Sequence, residues 1–215
     1  MRITGGEFGG RNLKVPKSDA IRPTQDRVRE ALFNIIQCEI VGADFLDLFA
    51  GSGAVGLEAL SRGAKSVTFV EANKRHLVVL KENLGSLGSS RVGEGSSRVG
   101  IGAARPMVTI DDTTVVAADA YRWIERYSGP GFTIGFADPP YALGEEKGYA
   151  SVLATLAERD VIRPDGLFIA EMTAVQKAEE TPGWELIRDR TYGKTRLCIW
   201  RRLSSNVSRP NETKS

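Results

Sequence analysis

The sequence predicts a single α/β domain on a mostly parallel sheet, Rossmann-like in its winding, and three observations predict it. From Asp44 onward, apolar strands alternate with helical stretches. A glycine-rich turn, Gly51-Ser52-Gly53-Ala54-Val55-Gly56, carries the first of these strands into the first of these helices. Four acids, Asp47, Glu71, Asp119 and Asp138, fall where apolar strands end, the edge at which open α/β sheets bind ligands.

The elements follow in order. Arg2 to Val15 turns on paired glycines and reads as a small N-terminal β-hairpin that presents Arg11 and Lys14. Within residues 1–30 seven basic side chains face four acids, a local bias that the net charge of +2 conceals. Thr24 is a candidate N-cap with Gln25 and Asp26 in the first turn, and Val28, Ala31, Leu32, Ile35 and Ile36 form one helical stripe. Pro23 holds Arg22 extended, away from that helix, and Arg22, Arg27 and Arg29 lie around its start, open to solvent or to a polyanion.

Strands are expected at Asp44–Phe49, Ser66–Glu71, Thr114–Ala118, Phe132–Ala137 and Gly166–Met172. Helices are expected at Gly53–Arg62, Lys74–Leu84, Ala120–Tyr127 and Tyr149–Glu158. Trp184–Arg190 and Thr195–Arg202 read as a C-terminal antiparallel hairpin added to the parallel sheet. Residues 85–113 exceed the link needed there and contain a near-repeat, Gly88-Ser89-Ser90-Arg91-Val92-Gly93 and Gly95-Ser96-Ser97-Arg98-Val99-Gly100. That composition favours a flexible insertion, and the polar stretch 204–215 reads as a disordered tail. The domain reading is therefore a basic extension over 1–20, the main domain over 21–203, and the tail.

Composition bounds the function. A chain of 215 residues with 41% hydrophobic content can bury one substantial core. No apolar run approaches the ~18 residues of a membrane span, and the glycine-rich start lacks a signal peptide's core, so a soluble cytoplasmic protein is expected. Cys38 and Cys198 are far apart, and His76 is the only histidine, which argues against a metal site.

The chemistry lies in the turns. Gly51 and Gly53 permit close ligand approach, and Gly56 permits tight packing of the helix on the strand. This spacing also fits a dinucleotide fingerprint, with Glu71 placed to accept both ribose hydroxyls. Asp47 favours a cation instead: it would repel a pyrophosphate and attract a sulfonium bearing an α-amino group, as in S-adenosylmethionine. Asp119 ends a third strand and could accept from an adenine amine. In Asp138-Pro139-Pro140-Tyr141 the Asp138 carboxylate and the Pro139 carbonyl can both accept from a planar exocyclic amine. The two prolines fix the turn, and Tyr141 can stack on the base. An ordinary strand-to-loop turn uses the same residue types.

Taken in order, these residues resemble the bacterial small-subunit (16S) ribosomal RNA guanine-N2 methyltransferases of the RsmD type. The resemblance spans nearly the whole chain: Arg2 to Pro16, Arg22-Pro23-Thr24 through Ile35, the turn from Asp47 to Gly56, Glu71, Asp119, Asp138 to Tyr141, and Tyr192-Gly193-Lys194-Thr195-Arg196-Leu197. It implies a class I S-adenosylmethionine-dependent methyltransferase sheet with the C-terminal hairpin. Asp47, Phe49, Gly51, Gly53, Glu71, Ala72, Asp119 and Ala120 would then line the cofactor, and Asp138, Pro139, Pro140 and Tyr141 the target amine. Arg2, Arg11, Lys14, Arg22, Thr24 and Arg27 would contact ribosomal RNA, in an assembled or partly assembled small subunit, with the enzyme a monomer. Two alternatives share these features: an adenine-N6 methylase acting on DNA or RNA, and a non-catalytic RNA-binding assembly factor. An NAD-dependent oxidoreductase is disfavoured by Asp47, and Glu171, though it also ends an apolar strand, lies beyond the expected cofactor positions.

Overall fold

The structure, a computed structural model, describes residues 1–16, 23–89, 112–139 and 149–204. Arg22, the Thr24 side chain, Pro140 and Tyr141 lie outside the described residues, as do most of the 85–113 insertion and the tail after Ser204. The elements are α1 (Pro23–Ile35), β1 (Asp44–Leu48), α2 (Ala54–Ser61), β2 (Ser66–Glu71), α3 (Lys74–Ser89), β3 (Thr113–Ala117), α4 (Ala120–Arg126), β4 (Phe132–Ala137), α5 (Tyr149–Glu158), β5 (Ile162–Thr173), β6 (Trp184–Tyr192) and β7 (Thr195–Arg202).

Seven strands form one sheet in the order β3-β2-β1-β4-β5-β7-β6. The pairs β1–β2, β2–β3, β1–β4 and β4–β5 are parallel, and β7 runs antiparallel to both β5 and β6. The chain reverses its direction of travel across the sheet between β1 and β4, and the carboxyl ends of these two strands open the crevice that holds the site.

Period-two alternation divides the core into two layers. Phe45, Phe69, Phe136 and Ile169 pack with Leu32 and Phe33 of α1, Leu57 of α2 and Leu80 of α3 on one face. Leu46, Leu48, Ala137 and Phe168 pack with Ile124 of α4 and Leu153 of α5 on the other. The same alternation turns Asp47 toward the α1 face, because it sits between Leu46 and Leu48.

Helix α1 begins at Pro23, one residue before the candidate cap Thr24, and two other element limits differ from expectation by four residues or more. Helix α3 continues past Leu84 to Ser89, because Leu87 prolongs the stripe of Leu77, Leu80 and Leu84 into the core and that burial outweighs the helix cost of Gly85. Strand β5 begins at Ile162 rather than Gly166, with a register shift opposite Phe132–Ile134 and a positive φ of 63° at Asp165.

Residues 1–16 make one antiparallel bridge, Arg2 to Asn12, joined by bonds from Ile3 N to the Arg11 carbonyl (2.9 Å) and from Leu13 N to the Met1 carbonyl (2.8 Å). Ile3, Phe8 and Leu13 are buried in the α1 face of the core. A carboxylate from α2 secures this segment: Glu58, fully buried, accepts from Thr4 N (2.8 Å), Thr4 Oγ1 (2.7 Å), Gly5 N (2.9 Å) and Arg62 Nε (2.8 Å). No helix among the described residues is long and apolar enough to cross a membrane.

Candidate active site

Strand β1 ends in a tight reversal. Phe49 takes a positive φ of 60°, Gly51 56° and Gly53 82°, and Gly53 N bonds back to the Ala50 carbonyl at 2.7 Å. A side chain at Gly53 would be strained by its φ and would also strike Leu80 at 2.2 Å. At Gly56 a Cβ would come within 2.3 Å of the Phe69 ring, so α2 rests directly on β2. The Phe49 ring, edge-on to Tyr121 at 5.3 Å, closes the turn on its other side.

A cavity of about 200 Å³ opens beside this turn at the carboxyl ends of β1, β4 and β5. Asp47, Phe49, Gly51 and Asp138 line it together. Asp47 is almost wholly buried and its Oδ2 accepts from Gly56 N at 2.9 Å. Burial pushes its carboxyl up to about 7, helped by the charges of Asp138 and Glu71 and opposed by the Gly56 bond. Asp138 presents open surface, yet the protein around its carboxyl displaces enough water to raise it to about 7 as well.

Glu71 lies at the turn's edge. Its Oε2 accepts from Gly51 N at 2.8 Å and its Oε1 from Asn73 N at 2.6 Å, while His76 Nδ1 stands 3.8 Å from Oε2. Each oxygen has a second lone pair, so the carboxylate that braces the glycine turn can also accept ribose hydroxyls. Asp119 caps α4, its side chain accepting from Arg122 N at 2.9 Å, and it is exposed outside the cavity wall. Gly53, Glu71, Ala72 and Ala120 also stand outside that wall, and Phe49, Ala120 and Pro139 share a narrow crevice on the α4 side.

Sequence reasoning missed two wall residues, Arg29 and Glu171, and Asn83, which braces the turn beside them. Arg29 is buried rather than solvated: its Nη2 donates to the Arg2 carbonyl (2.6 Å) and to Asp26 Oδ1 (3.0 Å), and its Nε stands 3.4 Å from Glu58. Its spacing, three positions before Leu32 and seven before Ile36, sets it at the edge of the apolar stripe. Asn83 receives Lys14 N on Oδ1 (2.8 Å) and donates from Nδ2 to the carbonyls of Lys14 (3.0 Å) and Ser52 (2.9 Å). One amide thus joins the N-terminal segment to the glycine turn, a link no local pattern announces. Glu171, set aside on sequence grounds, lines the cavity, and burial with the Asp138 charge pushes it up to about 8 against the Arg29 charge and a hydrogen bond from Thr195.

The basic candidates sit on the outer side. Arg2 and Arg27 are exposed, Arg11 lies 5.4 Å from the Phe8 ring centre, and Lys14 pairs with Glu82 at 2.9 Å. Val15 and Pro16, which follow Lys14, form part of the cavity wall with Met1. The donor set fits S-adenosylmethionine: Asp47 would supply negative charge for its cationic end, the bent turn close approach, and Glu71 acceptors for ribose.

Comparisons with known proteins give the family and the fold. A family profile described as "Conserved hypothetical protein 95" matches residues 1–201. The chain is 34% identical over 211 residues to ribosomal RNA small subunit methyltransferase D of Escherichia coli, covering 97% of this chain and 93% of that protein. It is 33% identical over 195 residues to the protein of the same name from Haemophilus influenzae, covering 90% and 89%. The solved structure of Escherichia coli yhhF superposes with a TM-score of 0.75 at 30% identity, covering 95% of this chain and 98% of that one. TrmN from Thermus thermophilus shares the fold, with a TM-score of 0.59 at 20% identity, covering 82% and 48%. The chain belongs to the ribosomal RNA small subunit methyltransferase D family and has the class I methyltransferase fold.

Proposed function

We propose that this protein transfers the methyl group of S-adenosylmethionine to the exocyclic N2 of a guanine in small-subunit ribosomal RNA. The observation that carries the reading is the meeting of Asp47 and Asp138 in one cavity beside the glycine turn. A binding protein has no use for both a cation site and an amine clamp.

S-adenosylmethionine supplies an electrophilic methyl on a sulfonium, so the protein's work is alignment and removal of water. Asp47 and Glu71 hold and orient the donor at the turn. Asp138 accepts one N2 hydrogen and the Pro139 carbonyl the other, which localises on nitrogen the lone pair otherwise shared with the ring. As positive charge develops on that nitrogen the Asp138 carboxylate stabilises it and takes the departing proton. Tyr141 stacks on the base, which must be unpaired or flipped to enter, a contact of about 1–3 kcal/mol. Arg2, Arg11, Lys14, Arg22, Thr24 and Arg27 hold the RNA backbone, and Asp119 with Ala120 completes the adenine end.

The substrate form we infer is the assembled or partly assembled small subunit, met in the cytoplasm by a monomeric enzyme. The test is transfer of labelled methyl to small subunits, naked small-subunit RNA, large subunits and duplex DNA, with nucleoside analysis. N2-methylguanosine from the small subunit is expected, and methyladenine from DNA would overturn the reading.

A further inference from the structure

We propose that Glu171 is a specificity-determining residue that reads the N1–H of the target guanine while Asp138 holds the neighbouring N2 amine. This rests on the guanine-N2 reading above and adds the base-recognising partner which that reading lacks.

Register places the two acids side by side. Phe136 pairs with Ile169 and Ala137 with Ala170, so Asp138 and Glu171 are the next matched positions on parallel neighbours about 4.8 Å apart. Phe136 and Ile169 both pack on the α1 face, and a step of two residues returns Asp138 and Glu171 to that face. Both line the cavity.

The fold holds Glu171 at this position without using up its carboxyl. Tyr149 Oη donates to the main-chain carbonyl of Glu171 at 2.9 Å, a bond that needs no acid side chain. Thr195 of β7 donates to the carboxyl, and Arg29 of α1 faces it with positive charge. These two favour the ionised, accepting form, whereas burial and Asp138, just past the end of β4, oppose it. An incoming N–H donor tips that balance toward the acceptor.

Guanine presents N1–H and N2–H₂ as adjacent donors on one edge, and two adjacent carboxyls match that pattern. Adenine presents a lone pair at N1, which a carboxylate repels. A carboxyl that only neutralised Arg29 would not distinguish the two.

The experiment compares single-turnover transfer to small-subunit RNA carrying guanine or 2-aminopurine at the methylated position. The analogue keeps the N2 amine but has a lone pair at N1. The wild type is expected to favour guanine by at least about 100-fold, since a site built to accept a hydrogen rejects the analogue lacking it. In Glu171→Gln the rotatable amide can accept or donate, and the preference is expected to fall at least about tenfold. Comparable transfer to both bases by the wild type, or an unchanged preference in a folded variant, would overturn the inference. Comparable transfer by the wild type overturns the inference even if the variant does not fold. Absence of any transfer to guanine by the wild type would instead refute the functional reading itself.

Discussion

Asp47 and Asp138 are carboxyls in crowded surroundings, and their chemistry depends on which form they take. In the role proposed for it, Asp138 must be ionised to accept from the amine and remove its proton. With its folded value near 7, kcat/KM should rise about tenfold per pH unit below that point and level off above it. A profile flat between pH 5 and 8 would contradict the role. Asp47 has a stability consequence of the same origin. Its folded value, about 7, lies above the ordinary 3.8, so the native state holds a proton that the unfolded chain has released. Stability from this group is therefore full below about pH 4 and lost as pH rises through 7. Asp47→Asn keeps an oxygen for Gly56 N and removes the buried charge, so it should raise stability at pH 8 by about 1–2 kcal/mol while weakening cofactor binding, measured by thermal denaturation and calorimetric titration. Glu71→Ala removes the carboxylate proposed to accept the ribose hydroxyls and frees Gly51 N. Cofactor affinity should fall about 10- to 100-fold, read by the same titration, with the fold intact. Unchanged affinity would remove Glu71 from the site.

The N-terminal segment is held to the elements around it by polar contacts, and Glu58 is the centre of that attachment. Glu58→Ala would leave Arg29 and Arg62 without their shared anion and Thr4 N and Gly5 N without their acceptor, a loss of about 3–5 kcal/mol in chemical denaturation. Because Met1, Val15 and Pro16 wall the cavity, the same change should weaken RNA transfer even where the chain still folds. Local pattern made most elements legible: Ser66–Glu71, Phe132–Ala137, Tyr149–Glu158 and Thr195–Arg202 are found within their expected limits. What escaped is nonlocal. Glu58 meets partners 54 positions away and Asn83 meets one 69 positions away, and neither sits in a motif. The end of α3 escaped for a related reason, since Gly85 signals a stop that the burial of Leu87 overrides.

At the scale of the molecule, one sheet with its crevice between β1 and β4 gathers Asp47, Asp138 and Glu171 from strands far apart in sequence. Asp47 and Asp138 were legible because each interrupts an apolar strand end. Glu171 has the same signature, but which face it meets depends on the β4–β5 register, and that is a property of the assembled sheet. The division of labour across the crevice, donor on the β1–β2 side and target amine on the β4 side, is the central claim, and Asp138→Ala tests it most directly. Cofactor affinity and single-turnover methyl transfer are measured on the same sample of this variant. Affinity within about threefold of wild type with transfer reduced at least about 100-fold is the predicted result. A large loss of affinity would place Asp138 in the cofactor site, and near-normal transfer would show that the amine is held by something else.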